Sequence, residues 1–313
     1  MKSKIINKPS ISVLMSAYNS EKYIAEAIES ILNQTFKDFE FIIFDDGSED
    51  KTKQIIQKYA KKDKRIIPIY NKCNIGYKGF IRNLNRGLKM AKGKYIARMD
   101  ADDISIENRF QIQYDFLKKN TEIFLVGGSF RYIDENSKIL YQQINNFSPE
   151  VIAKKLPYKS MVHHPTVMFR NKGKIYYREK AIYCEDRDLW LRFLTDNKKM
   201  IVLPNILINY RIHGNSICTN NNNKQMIAIN EIIKWYFERK KYGREISYQK
   251  FDPTSLINKY SEKSEQISDS IKLKFLYKSK KNKEFRSELR KFWMKNGVSK
   301  WPISIFYYFL SFI

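Results

Sequence analysis

Three carboxylates crowd into one short stretch of the chain, residues 98 to 105, whose sequence is RMDADDIS. In an extended segment alternate side chains share a face, so Asp100 and Asp102 can point the same way while Asp103 points elsewhere or opens the next turn. Carboxylates this close repel one another unless a cation neutralises them, and Mg²⁺ and Mn²⁺ prefer carboxylate oxygens. The stretch therefore indicates a divalent-cation site or, alternatively, an acidic turn that caps the next helix.

Two more polar clusters also follow apolar runs. The run FEFIIF is followed by DDGS, which contains Asp45 and Asp46. The earlier run ISVLM is followed by Ser16, Ala17, Tyr18 and Asn19. Such clusters place carboxylates and exposed backbone where a ligand can be bound. The alternative for the two aspartates is turn formation and helix capping, because Asp-Gly-Ser is an ordinary turn sequence.

An acidic pair later in the chain has the residue types of a general base. Glu185 and Asp186 precede the helical pattern DLWLRFL, in which three large apolar side chains supply packing. A carboxylate that such a helix presents at the rim of a sheet can take a proton from a hydroxyl group. The alternative is a negatively charged first helical turn that the helix dipole stabilises.

The elements that must position these clusters alternate regularly in the first hundred residues. Strand-like runs at 11–15, 39–44, 65–70 and 94–99 alternate with helical patterns between them. This alternation predicts a parallel sheet with right-handed crossovers. The strand at 65–70 contains Pro68, which predicts that this strand lies towards an edge of the sheet. Ligands bind outside the carboxyl ends of such strands, so we expect the clusters to share one crevice.

The pattern loosens after residue 104. It predicts a helix around Phe110, a strand at 123–126, a turn at 134–137 and a strand at 166–169. A helix at 188–194 and two strands, at 201–203 and 206–212, follow. The run TNNNNK at 219–224 contains no apolar residue and predicts a boundary, after which the chain becomes helical and more basic.

Composition limits the possible functions. The chain of 313 residues has 58 Lys and Arg against 33 Asp and Glu, a net charge of +25. This excess favours polyanionic partners (nucleic acid, an anionic membrane or a phosphorylated substrate), although a compositional bias of the source would also produce it. The spacing of Cys73, Cys184 and Cys218 indicates neither a disulfide framework nor a zinc site. No run approaches the ~20 apolar residues of a spanning helix.

Five motifs, in this order, resemble the family 2 glycosyltransferases over residues 8 to 217. They are SVLMSAYN (12–19), FDDGS (44–48), ARMDADD (97–103), CEDRDLWLR (184–192) and YRIHGNSI (210–217). The resemblance implies a GT-A fold, which is a Rossmann-like α/β domain with a mostly parallel central sheet and flanking helices. It also implies a nucleotide-diphosphate sugar donor, a divalent cation and inversion at the anomeric carbon.

The resemblance gives the clusters roles. The nucleotide lies against residues 16–19 and Asp46, whose carboxylate can accept the imide N–H of uracil. The cation, Mn²⁺ or Mg²⁺, is held most closely by Asp102, and the base is Asp186, with Glu185 as the other candidate. The resemblance also implies that Asp100 and Ala101 contact the donor and that Asp103 contacts the sugar or the metal. His213 is expected to bind the metal, and Arg211 to bind the diphosphate.

The predicted organisation is a catalytic domain at 1–218 and a basic, mainly helical region at 219–313. The catalytic domain divides into a nucleotide-sugar half, about 8–103, and an acceptor half, about 104–218. Residues 272–300 carry a local charge of +9 and precede the uncharged terminus WPISIFYYFLSFI. Residues 272–313 therefore suit the surface of an anionic membrane, or form a helix docked on the catalytic domain.

The predicted function is metal-dependent transfer of a sugar from a UDP-sugar to a hydroxyl group of a surface-glycan precursor, such as lipopolysaccharide or capsule. The partner is a glycan or glycolipid acceptor, and we expect the protein in the cytoplasm, peripheral at the inner face of the cell membrane. One alternative is a nucleotide-sugar hydrolase. Another is a non-catalytic basic module that binds membrane or nucleic acid, although no nucleic-acid motif is present.

Overall fold

A computed structural model describes residues 8–213, 222–253, 286–291 and 294. The first half alternates as predicted and forms four parallel strands in the order β3-β2-β1-β4. Pro68 lies in β3 at the edge of the sheet, also as predicted. The elements are β1 (Ile11–Ala17), α1 (Ile24–Leu32), β2 (Phe39–Asp45), α2 (Thr52–Lys62), β3 (Ile66–Tyr70), α3 (Tyr77–Met90) and β4 (Tyr95–Arg98).

The second half extends the same sheet beyond β4 in the order β8-β6-β9-β5, with β7 paired to β6. Strand β8 runs antiparallel to both of its neighbours, whereas β6 and β9 are parallel. The elements are β5 (Ile104–Ser105), α4 (Arg109–Lys119), β6 (Ile123–Ile133), β7 (Ile139–Gln143), α5 (Pro149–Lys155), a 3₁₀ turn (His164–Thr166), β8 (Met168–Arg170), α6 (Glu185–Thr195) and β9 (Lys199–Arg211).

Strand β9 corrects one prediction. The sequence predicts two strands separated at Pro204 and Asn205, but the structure has one strand of 13 residues. The register of the β6–β9 pair shifts here, since Gly128 lies opposite Leu203 and the next residue lies opposite Ile206. The two interrupting residues are therefore accommodated as a bulge, which bends the strand without ending it.

Two hydrophobic clusters cover the two faces of the sheet. In β1 the side chain of Leu14 belongs to one cluster, while Val13 and Met15 belong to the other. Strand β2 alternates in the same way, as a strand buried on both faces must. The strands are therefore fixed in register, and the loops at their carboxyl ends are held in fixed relative positions.

Two helices follow β9 along the chain, α7 (Asn222–Tyr242) and α8 (Ile246–Lys250). Ile232 and Trp235 of α7 are fully buried in the cluster that contains Trp190 of α6. The predicted boundary at 218/219 lies outside the described residues and stays a prediction, as does most of the tail at 272–313. Within the described residues no helix is both long and apolar enough to cross a membrane.

Candidate active site

The clusters that follow β1 and β2 lie side by side, as predicted. Ala17 pairs with Asp45 across the two strands, and the N–H of Asp46 donates to the carbonyl of Ala17 at 2.8 Å. The hydroxyl of Ser48 then accepts the N–H of Asn19 at 3.0 Å. The carbonyl and side chain of Ala17 are thus used in the sheet, whereas Tyr18, which follows it, is half-exposed, and contact of either residue with the nucleotide stays a prediction.

Three asparagine amides fix the carboxylate of Asp46. Oδ1 accepts from Asn71 at 2.7 Å and from Asn83 at 2.9 Å, while Oδ2 accepts from Asn74 at 2.9 Å. A Cβ added at Gly79 would lie 2.7 Å from Oδ2, so only glycine leaves room for this arrangement. Asp46, Asn71, Gly79 and Asn83 border a cleft of about 250 Å³.

The sequence analysis missed the asparagines around Asp46, although one signal was available. Asn71 follows β3 directly and occupies the same kind of strand end as the clusters that were recognised. Asn83 lies on the buried face of α3 and also donates to the hydroxyl of Ser16 at 3.1 Å. A polar residue on a buried helix face could have been flagged, but its partner could not have been identified without the fold.

Two buried arginines lie beneath the acidic stretch, and the sequence analysis missed both. The guanidinium of Arg98 donates to Oδ1 of Asp100 at 2.5 Å, and only 1% of the arginine side chain is exposed. Arg109 donates to the carbonyls of Arg98 and Val167 at 2.9 and 3.1 Å, and burial lowers its pKa to about 9. Positive charge built into the fold therefore offsets part of the repulsion among the carboxylates.

Asp102 and His213 form a pair at the predicted metal position. Oδ2 of Asp102 is 2.9 Å from Nε2 of His213, and 31% of the aspartate side chain is exposed. Among the described residues no three or more His, Cys, Asp or Glu side chains are grouped to hold a metal. The pair nevertheless fits Mn²⁺ or Mg²⁺, because such ions are commonly bound by one or two protein ligands and by phosphate oxygens of the substrate.

Asp103 lies behind this pair, in the interior. Only 1% of the residue is exposed, and its Oδ1 accepts the backbone N–H of Arg211 at 2.9 Å. Burial, with the charges of Asp102 and Asp100, raises the pKa of Asp103 well above its usual value. These contacts argue against the predicted contact of Asp103 with the sugar or the metal and favour a role in joining β9 to the acidic stretch.

The side chain of Arg211 is also buried, with 1% exposed, and its donors are engaged by the protein. It donates to the carbonyl of Asp102 at 2.7 Å, to that of Asp134 at 3.0 Å and to the carboxylate of Glu26 at 2.5 Å. The ring of Tyr23 lies 4.6 Å from the guanidinium carbon. The predicted contact with diphosphate is therefore revised: Arg211 ties α1 and the β6–β7 turn to the acidic stretch.

Glu185 and Asp186 occupy the first turn of α6, which begins three residues earlier than predicted. Oδ1 of Asp186 accepts the N–H of Arg187 at 2.6 Å. Burial, with a contribution from the charge of Asp100, raises the pKa of Asp186 to about 6. A carboxylate with this pKa is ionised at neutral pH and is also a stronger base than an ordinary aspartate.

Comparison with known proteins identifies related chains. The model of the family "Glycosyl transferase family 2" matches residues 12–178. An uncharacterized glycosyltransferase of Methanocaldococcus jannaschii is 38% identical over 246 residues, which cover 76% of this chain and 82% of the relative. The O-antigen biosynthesis glycosyltransferase WbnJ of Escherichia coli is 37% identical over 66% of this chain and 81% of its own length.

Solved structures show the same fold. Staphylococcus aureus TarS 1-349 in complex with UDP-GlcNAc has a TM-score of 0.56 and 18% identity, covering 96% of this chain and 89% of that one. A longer TarS structure gives a TM-score of 0.57 with 21% identity, and there the match covers 86% of this chain and 43% of the other. The predicted GT-A fold, a mixed α/β sheet with flanking helices, is thereby confirmed.

Proposed function

This chain belongs to glycosyl transferase family 2, and we propose that it moves a sugar, with inversion, from a UDP-sugar to a hydroxyl group of a surface-glycan precursor. A UDP-sugar donor is supported by the UDP-GlcNAc complex of TarS, whose fold is the same. A surface-glycan product is supported by the relative WbnJ, which is named for O-antigen biosynthesis.

The proposal rests mainly on one arrangement, which is that Asp186 lies within electrostatic reach of Asp100, in the acidic stretch after β4. The charge of Asp100 contributes to the raised pKa of Asp186, which places the two carboxylates near each other in the fold. Asp100 belongs to the half of the molecule that contains Asp46, and Asp186 belongs to the other half. A sugar bound between the halves would therefore have a base close to its reacting carbon.

The chain's own residues supply the remaining steps. The three amides around Asp46 orient its carboxylate toward the uracil N–H, which fixes the base of the donor. The carboxylate of Asp186 takes the proton of the acceptor hydroxyl while that oxygen forms a bond to the anomeric carbon. The bond from this carbon to the UDP oxygen breaks at the same time, and its electron pair leaves with UDP. One displacement of this kind inverts the configuration.

We infer that Asp102 and His213 hold Mn²⁺ or Mg²⁺. A cation bound there would stabilise the negative charge of the departing diphosphate. Arg98 and Arg109 neutralise part of the carboxylate charge beneath the pair. They keep the acidic stretch in place whether or not the ion is bound, so the metal position is formed in advance.

We also infer that the protein acts at the inner face of the cell membrane, on a glycolipid or glycan acceptor. The net charge of +25 and the basic segment at 272–300 favour attraction to anionic lipid, at about 1 kcal/mol for each Lys or Arg near the surface. Peripheral binding of this kind would bring the cleft close to a lipid-linked acceptor.

A panel of nucleotide sugars tests the proposed function. The full-length protein is incubated with Mn²⁺ and UDP-, GDP- or CDP-sugars, with and without a lipid-linked glycan fraction, and the released nucleotide is measured. We expect release from a UDP-sugar only, strongly increased by the acceptor fraction. Equal UDP release without acceptor would instead identify a hydrolase, and the absence of any turnover would favour a binding module.

A further inference from the structure

A buried cluster next to Asp186 has no role in the steps above. His164 of the 3₁₀ turn lies between Tyr177, in the segment before α6, and Glu185 of α6 itself. Nε2 of His164 is 2.9 Å from the hydroxyl of Tyr177, and Nδ1 is 3.6 Å from Oε1 of Glu185. The three residues are 8%, 3% and 8% exposed, so little water reaches them.

The charged groups around the cluster come from β4, the acidic stretch after it and α6, and they include Asp100 and Arg192, whose charges act on Tyr177. Arg98 of β4 faces His164 and Tyr177, while Asp186 and Asp188 share the helix of Glu185. Burial, with the charge of Arg98, holds the pKa of His164 well below its usual value, so the imidazole is neutral. Within the described residues Asp188 is paired with Arg178 and Arg192, whereas Glu185 has no arginine or lysine in an ion pair.

The two adjacent carboxyl groups are therefore in unequal surroundings. Asp186 accepts a backbone N–H and has the charge of Arg187 nearby, both of which stabilise its ionised form. Glu185 faces a neutral imidazole in a buried site, and burial together with the charge of Asp186 raises its pKa well above the usual value. Two like charges this close do not both form readily, so the surroundings decide which group ionises first.

We propose that His164, oriented by the hydroxyl of Tyr177, is a positioning residue that keeps Glu185 as an uncharged acid, so that the negative charge of the pair resides on Asp186. The imidazole fills the space that water would otherwise occupy beside Glu185, and it offers no positive charge to a glutamate anion. The assignment rests on the proposed role of Asp186 as base. It explains how a chain with adjacent carboxyl groups uses one of them specifically.

The protonation of Glu185 can be measured directly on the full-length protein without substrate. Infrared difference spectra recorded between pH 5 and 9 should show a protonated carboxyl band that persists at pH 7. The buried Asp103, whose pKa is also raised well above its usual value, absorbs in the same region, so Glu185→Gln should remove only the Glu185 band, which is the difference between the wild type and this variant. His164→Ala admits water to the glutamate, so the band should titrate about one pH unit lower, and Tyr177→Phe should shift it in the same direction by less.

Tyr95→Phe is the matched control, because Tyr95 is also buried and its hydroxyl has no hydrogen-bond partner among the described residues. This variant should leave the band unchanged. A melting curve on each variant separates the proposed role from simple packing, since a packing role would lower the melting temperature without moving the titration. If His164→Ala fails to fold, Tyr177→Phe alone carries the test.

The effect on catalysis is read from the pH dependence of UDP release with the UDP-sugar that the wild type turns over fastest. In His164→Ala the charge is shared between the two carboxyl groups. The acidic limb of the pH–rate profile, where the rate rises with pH, should therefore shift to a pH about one unit higher. In a Glu185→Gln background the same His164→Ala change should not move the limb.

The proposal is overturned if Glu185→Gln removes no part of the protonated carboxyl absorption of the wild type at pH 7, or if neither His164→Ala nor Tyr177→Phe moves the titration of the Glu185 band. The spectra need no turnover, so they remain informative if the chain transfers no sugar. Conversely, normal transfer combined with an unmoved band would reject this inference alone.

Discussion

At the residue scale, the raised pKa of Asp186 has a consequence for stability as well as for catalysis. A carboxyl group whose pKa is about 6 in the folded protein and 3.8 when exposed binds its proton more tightly when folded. Stability is therefore lost as pH rises between these values, and the penalty is complete above the folded pKa. This cost accompanies a strong base that is half-buried beside the fully buried Asp188.

Asp186→Asn should therefore raise the melting temperature by a few degrees at pH 8 and leave it nearly unchanged at pH 4, where the wild-type carboxyl group is largely protonated. Thermal melts at the two pH values measure this difference. Asp196→Asn is the control, because Asp196 ends the same helix with 58% of its side chain exposed. A melting temperature of Asp186→Asn equal to or below the wild type at pH 8 would contradict the assigned surroundings of Asp186.

The proposed cation leads to a second prediction at this scale. Asp102→Ala should abolish the response of UDP release to Mn²⁺ or Mg²⁺, because it removes the carboxylate of the Asp102–His213 pair. Its melting temperature should change little, because the side chain is partly exposed. Asp115→Ala, on the exposed face of α4, controls for loss of an acidic side chain. Full metal-dependent activity in Asp102→Ala would refute the assignment.

At the element scale, helix α6 is held by the helices that follow it along the chain. The guanidinium of Arg178 donates from Nε to Asp188 at 2.8 Å and also pairs with Glu245, next to α8. It lies 4.9 Å from the ring of Trp235 and 4.3 Å from that of Tyr248. The helices that follow the predicted domain boundary therefore help to fix the helix that presents Asp186.

Arg178→Ala should destabilise the protein by about 3 kcal/mol or more, because it leaves the fully buried Asp188 with only Arg192 as an ion-pair partner among the described residues. Urea unfolding measures the loss. Arg244→Ala, an exposed neighbour of Glu245, should be nearly neutral. If both variants unfold at the same urea concentration, α7 and α8 do not brace α6.

The sequence predicted the helices and strands whose apolar residues recur with a clear period. It did not predict side-chain roles that depend on contacts between residues far apart in the chain. The four parallel strands followed from alternation and from the apolar runs, and the ends of two of them predicted Asp46 and Asp102, whereas Asp186 was predicted from the acidic pair before the helical pattern of α6. The unbroken β9 was missed because proline usually ends a strand, and only the facing strand shows that a bulge accommodates it. The burial of Asp103 and Arg211 was equally invisible, since both contacts join residues more than a hundred positions apart.

At the scale of the whole molecule, the basic tail predicts membrane binding. Deleting residues 272–313 removes the +9 segment and the uncharged terminus, so sedimentation with vesicles containing anionic lipid should fall strongly. Turnover of the UDP-sugar should survive in part, because every proposed catalytic residue precedes the deletion. High salt should release the intact protein only partly, since salt screens charge but not apolar contact.

A melting curve on the truncated protein is the control for this experiment. If the tail is instead a helix docked on the catalytic domain, truncation exposes apolar surface and lowers the melting temperature while vesicle binding changes little. Unaltered vesicle binding after truncation would reject the tail as the membrane contact.

The central claim, that Asp186 is the base of a UDP-sugar transferase, is tested most directly by measuring donor binding and sugar transfer in the same variant. Asp186→Asn keeps the shape of the side chain and removes the proton acceptor. Calorimetry should give wild-type affinity for the UDP-sugar, while transfer to the acceptor fraction should fall by about 10² or more. Transfer at the wild-type rate, or loss of donor binding with normal transfer at saturating donor, would contradict the claim.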